Sequence, residues 1–225
     1  MVFDGQRATL LPSLTTDRWG AMAGVLYDVN EEPWIVVTGG LDTSRTDESN
    51  LKSTEVLAPG ALHWVPGAPL DEARRGSAFV TFNNSLFIFG GWTLSNIATA
   101  QVLRDPTGSW ESLPSMPAAV ASASAAVYNR RIYVVGGEAY TTLVTTVQSF
   151  DGVSWRLEAS LSETRRAMLG LVNFRGLLWA VGGEHDKSGT LLASTEFFNG
   201  TAWTSGPALV EPRASGVMGV LPCSI

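Results

Sequence analysis

Four short apolar runs, each ending in a pair of glycines, constrain this chain more than any other feature of it. They are Trp34-Ile35-Val36-Val37-Thr38-Gly39-Gly40, Leu86-Phe87-Ile88-Phe89-Gly90-Gly91, Arg131-Ile132-Tyr133-Val134-Val135-Gly136-Gly137 and Leu178-Trp179-Ala180-Val181-Gly182-Gly183. The second glycines are spaced by 51, 46 and 46 residues. A repeat of that length, with room for several short strands per unit, predicts the blades of a propeller. Glycine at a strand end permits close backbone approach or a left-handed dihedral angle, so each pair is read as the end of an inner strand.

More of the unit repeats than the glycines. A tryptophan follows each pair, at Trp64, Trp110, Trp155 and Trp203, and a turn pair precedes it, clearest in Asp151-Gly152 and Asn199-Gly200. Such pairs accept the positive φ angles of a tight hairpin. Ten residues beyond Trp64, Trp155 and Trp203 stand Arg74, Arg165 and Arg213, and Arg18 follows Ala8 by the same interval. The unit of Trp110 departs from this, with Val120 in the arginine position.

The glycine pairs, tryptophans and arginines in one register resemble the kelch repeat, and the resemblance covers essentially the whole chain. It implies an all-β propeller, a single domain over residues 1–225, with four-stranded blades at about 18–64, 74–111, 120–156 and 165–204. Residues 1–12 read as the tail of another blade, because Phe3-Asp4-Gly5 matches Phe150-Asp151-Gly152. Residues 213–221 read as the start of one. This incomplete fifth blade lacks a second strand. A fragment of a longer ring, a strained five-blade closure and pairing with a second chain each account for the gap.

Composition narrows the function classes. A formal charge of −6 argues against nonspecific binding to nucleic acid or to an anionic membrane. No apolar run approaches a membrane span, and the N-terminus lacks a signal-peptide layout. The single cysteine, Cys223, excludes an internal disulfide, and a cytoplasmic location is expected. Asn83 and Asn199 begin N-x-S/T sequences in turns where asparagine is expected anyway.

Strand parity places the remaining motifs. With strands A to D antiparallel in each blade, the loops after the glycine pairs (B to C) and those between blades (D to A) share one rim. The A–B and C–D hairpins share the opposite one. The first rim gathers Arg18, Arg74, Arg165 and Arg213, with Arg75 and Arg166 beside two of them, and loops 41–52, 91–98, 138–143 and 184–190. Binding residues concentrate on loops carried by a rigid scaffold. Protein-binding members of the resembled family use this face, and a forked guanidinium suits a carboxylate. The expected function is therefore a protein-interaction module for a protein or acidic-peptide partner, with Arg18, Arg75, Arg166, Arg213, Trp92 and Tyr140 as contact residues. The competing structural role is a clamp, because Glu72, Glu163 and Glu211 each stand two residues before an arginine.

An alternative is a sugar-processing enzyme, mutarotase-like, with a pocket at the channel mouth. No nucleophile elbow, phosphate loop or paired-cysteine metal motif is present. His63 and Glu184-His185-Asp186 are too few and too local to define a metal centre, so neither metal nor cofactor is expected.

Overall fold

The structure is a computed structural model that describes residues 2–3, 8–43, 49–140, 142–162, 167–186 and 188–215. Four antiparallel four-stranded sheets follow one another along the chain. The first is β3 (Met22–Tyr27), β4 (Pro33–Thr38), β5 (Thr54–Leu57) and β6 (Val65–Gly67). The second is β7 (Ala78–Phe82), β8 (Ser85–Phe89), β9 (Ala100–Leu103) and β10 (Glu111–Leu113). In the third, β11 (Ser124–Tyr128), β12 (Arg131–Val135), β15 (Val147–Phe150) and β16 (Trp155–Leu157) pair in that order. Its B–C loop folds into a small hairpin, β13 (Glu138–Ala139) with β14 (Thr142–Leu143). The fourth is β17 (Gly170–Phe174), β18 (Leu177–Val181), β19 (Thr195–Phe198) and β20 (Trp203–Ser205). These sheets are the expected four blades.

At the N-terminus β1 (Val2–Phe3) pairs with β2 (Ala8–Thr9), as expected for the last two strands of a further blade. At the other end Arg213 makes the backbone contact that begins a blade, and the rest of that expected strand lies outside the described residues.

The core lies between blades. One buried cluster joins Met22, Leu26 and Val36 to Leu86, Ile88 and Trp110. A second joins Phe87, Phe89 and Val102 to Ile132, Val134 and Phe150. A third joins Tyr128, Tyr133 and Val135 to Leu178, Phe198 and Trp203. The continuous apolar character of the B strands follows, since both faces of a sheet are covered by neighbours.

Each tryptophan fastens its blade to the one before. The indole Nε1 of Trp64 donates to Pro12 O at 2.9 Å, and Trp110 to Ala68 O at 3.1 Å. Trp155 donates to Pro114 O at 2.8 Å, and Trp203 to Ala159 O at 2.9 Å. The acceptor is in every case a carbonyl just after the preceding outer strand. Repetition of this bond in all four blades explains why tryptophan, with a large apolar body and one N–H, recurs at this position.

The two glycines of each pair are required for different reasons. All four pairs hold positive φ, for example +64° at Gly39 and +97° at Gly40. The second glycine donates its N–H to the next blade: Gly40 to Arg74 O, Gly91 to Val120 O and Gly183 to Arg213 O. A Cβ on the first glycine would run into that same carbonyl, at 2.7 Å for Gly39 and at Val120 O and Arg213 O for Gly90 and Gly182. A Cβ on the second would meet its own blade's inner-strand entry, at 3.0 Å from Trp19 O for Gly40.

Candidate functional site

Inward from the glycine pairs runs a collar that residue identity does not reveal. Gly76 N donates to Gly20 O, Ser122 N to Gly76 O, Met168 N to Ser122 O and Ser215 N to Met168 O. These five residues have φ between +52° and +65°, although three of them are not glycine. The left-handed conformation turns each backbone towards the neighbouring blade, and the backbone bond offsets the strain this costs. The collar marks the inner edge of the rim.

The repeat arginines sit just outside the collar, and two are turned inward. Arg18, expected among the partner-facing residues, has a side chain 0% exposed. It donates to Gly39 O and Ser53 O, each at 2.9 Å, and pairs with Glu55 at 2.8 Å. Every guanidinium nitrogen is used within the first blade, so Arg18 acts as a clamp. Arg74 is equally buried and donates to Gly90 O, Thr99 O and Thr99 Oγ1. Its carboxylate is Glu72, at 3.1 Å, as the Glu-x-Arg spacing implied. Burial pushes the Arg74 guanidinium below its ordinary pKa, while Glu72 and Asp71 oppose that shift.

The sequence pattern missed the other half of the clamp. The second residue of every C strand is a buried carboxylate or amide: Glu55, Gln101, Gln148 and Glu196. Each holds the loop entering its own blade. Glu55 accepts from Thr15 N at 2.7 Å, Thr15 Oγ1 at 2.6 Å and Thr16 N at 3.2 Å. Glu196 accepts from Ser162 N at 2.7 Å. Gln148 exchanges bonds with Ala118 N and O, at 2.8 and 3.2 Å. Gln101 accepts from Asp71 N and donates to Asp71 Oδ2. For Glu55, burial alone would raise the carboxyl pKa, but the bonds from Thr15 and Arg18 together hold it below the ordinary value.

The fourth blade also shifts the arginine register by one. Ala167 bridges Glu184 as Ala121 bridges Glu138, and Met168 is the collar residue. Counting back two residues from the collar gives Arg18, Arg74, Val120, Arg166 and Arg213. Arg166, rather than Arg165, is therefore the repeat arginine. Both, with Glu163, lie outside the described residues.

Arg75, Trp92, Tyr140 and Arg213 remain on the rim. Arg75 donates to Asn50 Oδ1 at 3.0 Å, and its guanidinium carbon lies 5.9 Å from the centre of the Trp92 ring. The Trp92 indole N–H is buried without a partner among the described residues. Arg213 is 62% exposed, with Glu211 at 3.8 Å. Tyr140 is 75% exposed at φ +59°, and its N–H bonds Asn96 Oδ1.

The rim loops are tied to one another by two asparagines that repeat at an interval of 46 residues. Asn50 Nδ2 donates to Thr93 O and Asn96 Nδ2 to Glu138 O, both at 3.0 Å. Each carries its loop to the next blade's loop. On this surface the four blades expose Trp19 (58%), Leu94 (75%), Tyr140 (75%) and Leu191 (43%), and Val210 is exposed in the D–A loop after the fourth. Of these only Tyr140 is among the contact residues expected from the sequence, and none of the four carries a repeat signal. The chemistry offered is aromatic and aliphatic, with Arg75 and Arg213 at its margin.

Asp28, Glu55, Asp151 and Asp186 are all held below their ordinary pKa, Asp186 at about 2 through bonds led by the Ser188 hydroxyl. Among the described residues no three His, Cys, Asp or Glu side chains form a metal-sized group, and no helix is long and apolar enough to cross a membrane.

Residues 73–117 match the family model described as the Kelch motif. Alpha-scruin of Limulus polyphemus is 26% identical over 208 residues, covering 83% of this chain and 22% of the scruin. Kelch-like protein 38 of Rattus norvegicus is 29% identical over 149 residues, covering 60% of this chain and 25% of that protein. The chain thus spans about a quarter or less of these curated relatives. The solved structure of YjhT superimposes with a TM-score of 0.72 at 16% identity, over 91% of this chain and 69% of that one.

Proposed function

The chain is a kelch-repeat β-propeller protein, and we propose that it binds a protein partner on the rim formed by its B–C and D–A loops. The observation that carries this reading is the set Trp19, Leu94, Tyr140 and Leu191. Each blade contributes one of them, Val210 is exposed in the last D–A loop, and Asn50 and Asn96 link the loops of the first three blades. Large apolar groups grouped on a pre-organised surface are characteristic of interaction sites. Tyr140 supports it further, since a bulky residue held at positive φ with its ring in solvent does nothing for packing.

The expected chemistry moves away from a purely acidic ligand. Arg18 and Arg74 are consumed inside the blades, and the exposed Arg213 is a peripheral charge beside an apolar centre. A partner segment with apolar anchors and a flanking carboxylate matches that arrangement.

Panning a displayed peptide library against the propeller tests the reading. Enriched peptides should lose binding to Leu94→Ser and Tyr140→Ser chains and keep it with Leu62→Ser or Val153→Ser, which alter the opposite rim. Binding that follows the second pair instead of the first would reject this face.

A further inference from the structure

The opposite rim carries its own organisation, which the partner-binding reading does not use. Its inner ring is made of the A–B hairpin tips, and their charges are segregated by blade. The first blade presents Asp28, Glu31 and Glu32; the second the neutral Asn83 and Asn84; the third Asn129 and Arg130; the fourth Arg175. The tips are mutually placed by side-chain bonds, Asn84 to both backbone groups of Tyr27 at 2.7 Å and Asn173 to Val127 O at 3.1 Å.

Among the described residues two other pairs of charges on this rim are neutralised within the chain, and Asp105 of the second blade's C–D turn accepts bonds from Thr107. Arg131 pairs with Asp151 at 3.0 Å, and Arg104 with Glu111 at 3.1 Å. Arg130, Arg175, Glu31 and Glu32 are exposed and have no ion-pair partner among the described residues. Arg175 only lies over the ring of its neighbour Phe174, at 5.2 Å.

Three of these four unpaired residues occupy costly backbone positions. Glu31, Arg130 and Arg175 have φ of 62°, 62° and 52°. The two-residue loops Asn129-Arg130 and Arg175-Gly176 need positive φ at both positions, which favours asparagine or glycine. Charged side chains retained there gain nothing for the hairpin. Around them Val29, Leu62 and Val153 are exposed, with Phe174 partly so, giving the rim an apolar component.

We propose that this rim is the self-association face of the protein, and that a second copy pairs its Arg130 and Arg175 with Glu31 and Glu32 of the first. The order acidic, neutral, basic, basic around the ring is self-complementary under a two-fold axis passing near the second blade. Such an axis sets the first blade of each copy opposite the third of the other, with Arg175 of the fourth blade flanking that contact, and brings the uncharged Asn83-Asn84 tips together. An isologous contact of this kind makes the pairing of Arg130 with Glu31 and Glu32 twice.

Sedimentation of the whole chain at low and raised salt tests the proposal. Wild-type protein should dimerise at low salt and dissociate as salt rises. Arg130→Glu with Arg175→Glu should weaken the dimer at least about tenfold, as should Glu31→Arg with Glu32→Arg, because like charges then face each other. Mixing the two reversed chains should restore a heterodimer, while thermal melts show that both remain folded. A wild-type chain that stays monomeric at low salt overturns the proposal. So does a dimer indifferent to both reversals, or a monomer that uses Arg130 and Arg175 to bind an acidic peptide.

Discussion

The first and third blades perform the same task with opposite chemistry. In the first, Arg18 and Glu55 form a buried ion pair that grips the entering loop at Thr15 and Thr16. In the third, Val120 occupies the arginine position in the core, and Gln148 grips the loop at Ala118 with a neutral amide. Charge disappears from both positions together. An uncompensated buried carboxylate is expensive, so removal of the arginine is accommodated by an amide of the same shape. The second blade is intermediate: Gln101 holds the loop and Arg74 finds its carboxylate in Glu72. What all blades share is a hydrogen-bond acceptor on the second residue of strand C. The ion pair is one way of supplying it.

Breaking one partner of the charged clamp should have the largest effect. Arg18→Ala leaves Glu55 buried without its cation and Glu55→Ala leaves the guanidinium without its anion, so each should cost about 3–5 kcal/mol in denaturant melts. Gln148→Ala strands only neutral backbone groups and should cost about 1–3 kcal/mol. Equal losses at Glu55 and Gln148 would remove the distinction between the two blades.

Converting the first blade to the third should recover most of that loss. Arg18→Val combined with Glu55→Gln should end closer to wild type than either Ala variant, with a favourable coupling of about 1–3 kcal/mol in a double-mutant cycle. Additive effects would mean that the two side chains act independently despite their 2.8 Å contact.

Acid sharpens the same comparison. The folded-state pKa of Glu55 is depressed below its ordinary 4.5, so its stabilisation is present above that value and lost as pH falls through the lower folded value. Melts run downwards from pH 5 should therefore destabilise wild type more steeply than the Arg18→Val, Glu55→Gln protein. Asp28, Asp151 and Asp186 are depressed too, but their contribution is common to both chains and cancels. Identical acid slopes would show that Glu55 contributes nothing through its charge.

The division between repeat and exception also explains what the sequence made legible. Glycine pairs and tryptophans are visible because a single residue type satisfies each blade-to-blade bond, and they located all four sheets. The strand-C position escaped notice because two blades carry Glu there and two carry Gln, and only their shared carbonyl oxygen matters. The collar escaped for a deeper reason. Gly20, Gly76, Ser122, Met168 and Ser215 have a backbone conformation in common and no side-chain chemistry. Arg18 was legible as a repeat element but not as a buried one, since its carboxylate, Glu55, lies 37 residues away rather than two. The rim residues outside the repeat could be found only one at a time.

The smallest stability effect is expected at those rim residues, and it separates them from every clamp. Leu94 and Tyr140 are mostly in solvent, so Leu94→Ser and Tyr140→Ser should change stability by less than about 0.5 kcal/mol. Replacing Tyr140 by glycine relieves positive φ as well, and should be neutral or slightly stabilising. Asn96 is the informative neighbour, because it holds Tyr140 in place through its N–H while also binding Glu138 O. Asn96→Ala keeps the tyrosine ring and removes only the link between the second and third loops. If the rim works as a pre-organised surface, that substitution should lower partner affinity while the melting temperature stays close to wild type, mainly by speeding dissociation. Unchanged binding in Asn96→Ala, with binding lost in Tyr140→Ser, would mean that the ring acts without the tie. A large fall in melting temperature would instead place Asn96 with Glu55 and Gln148, as part of the scaffold.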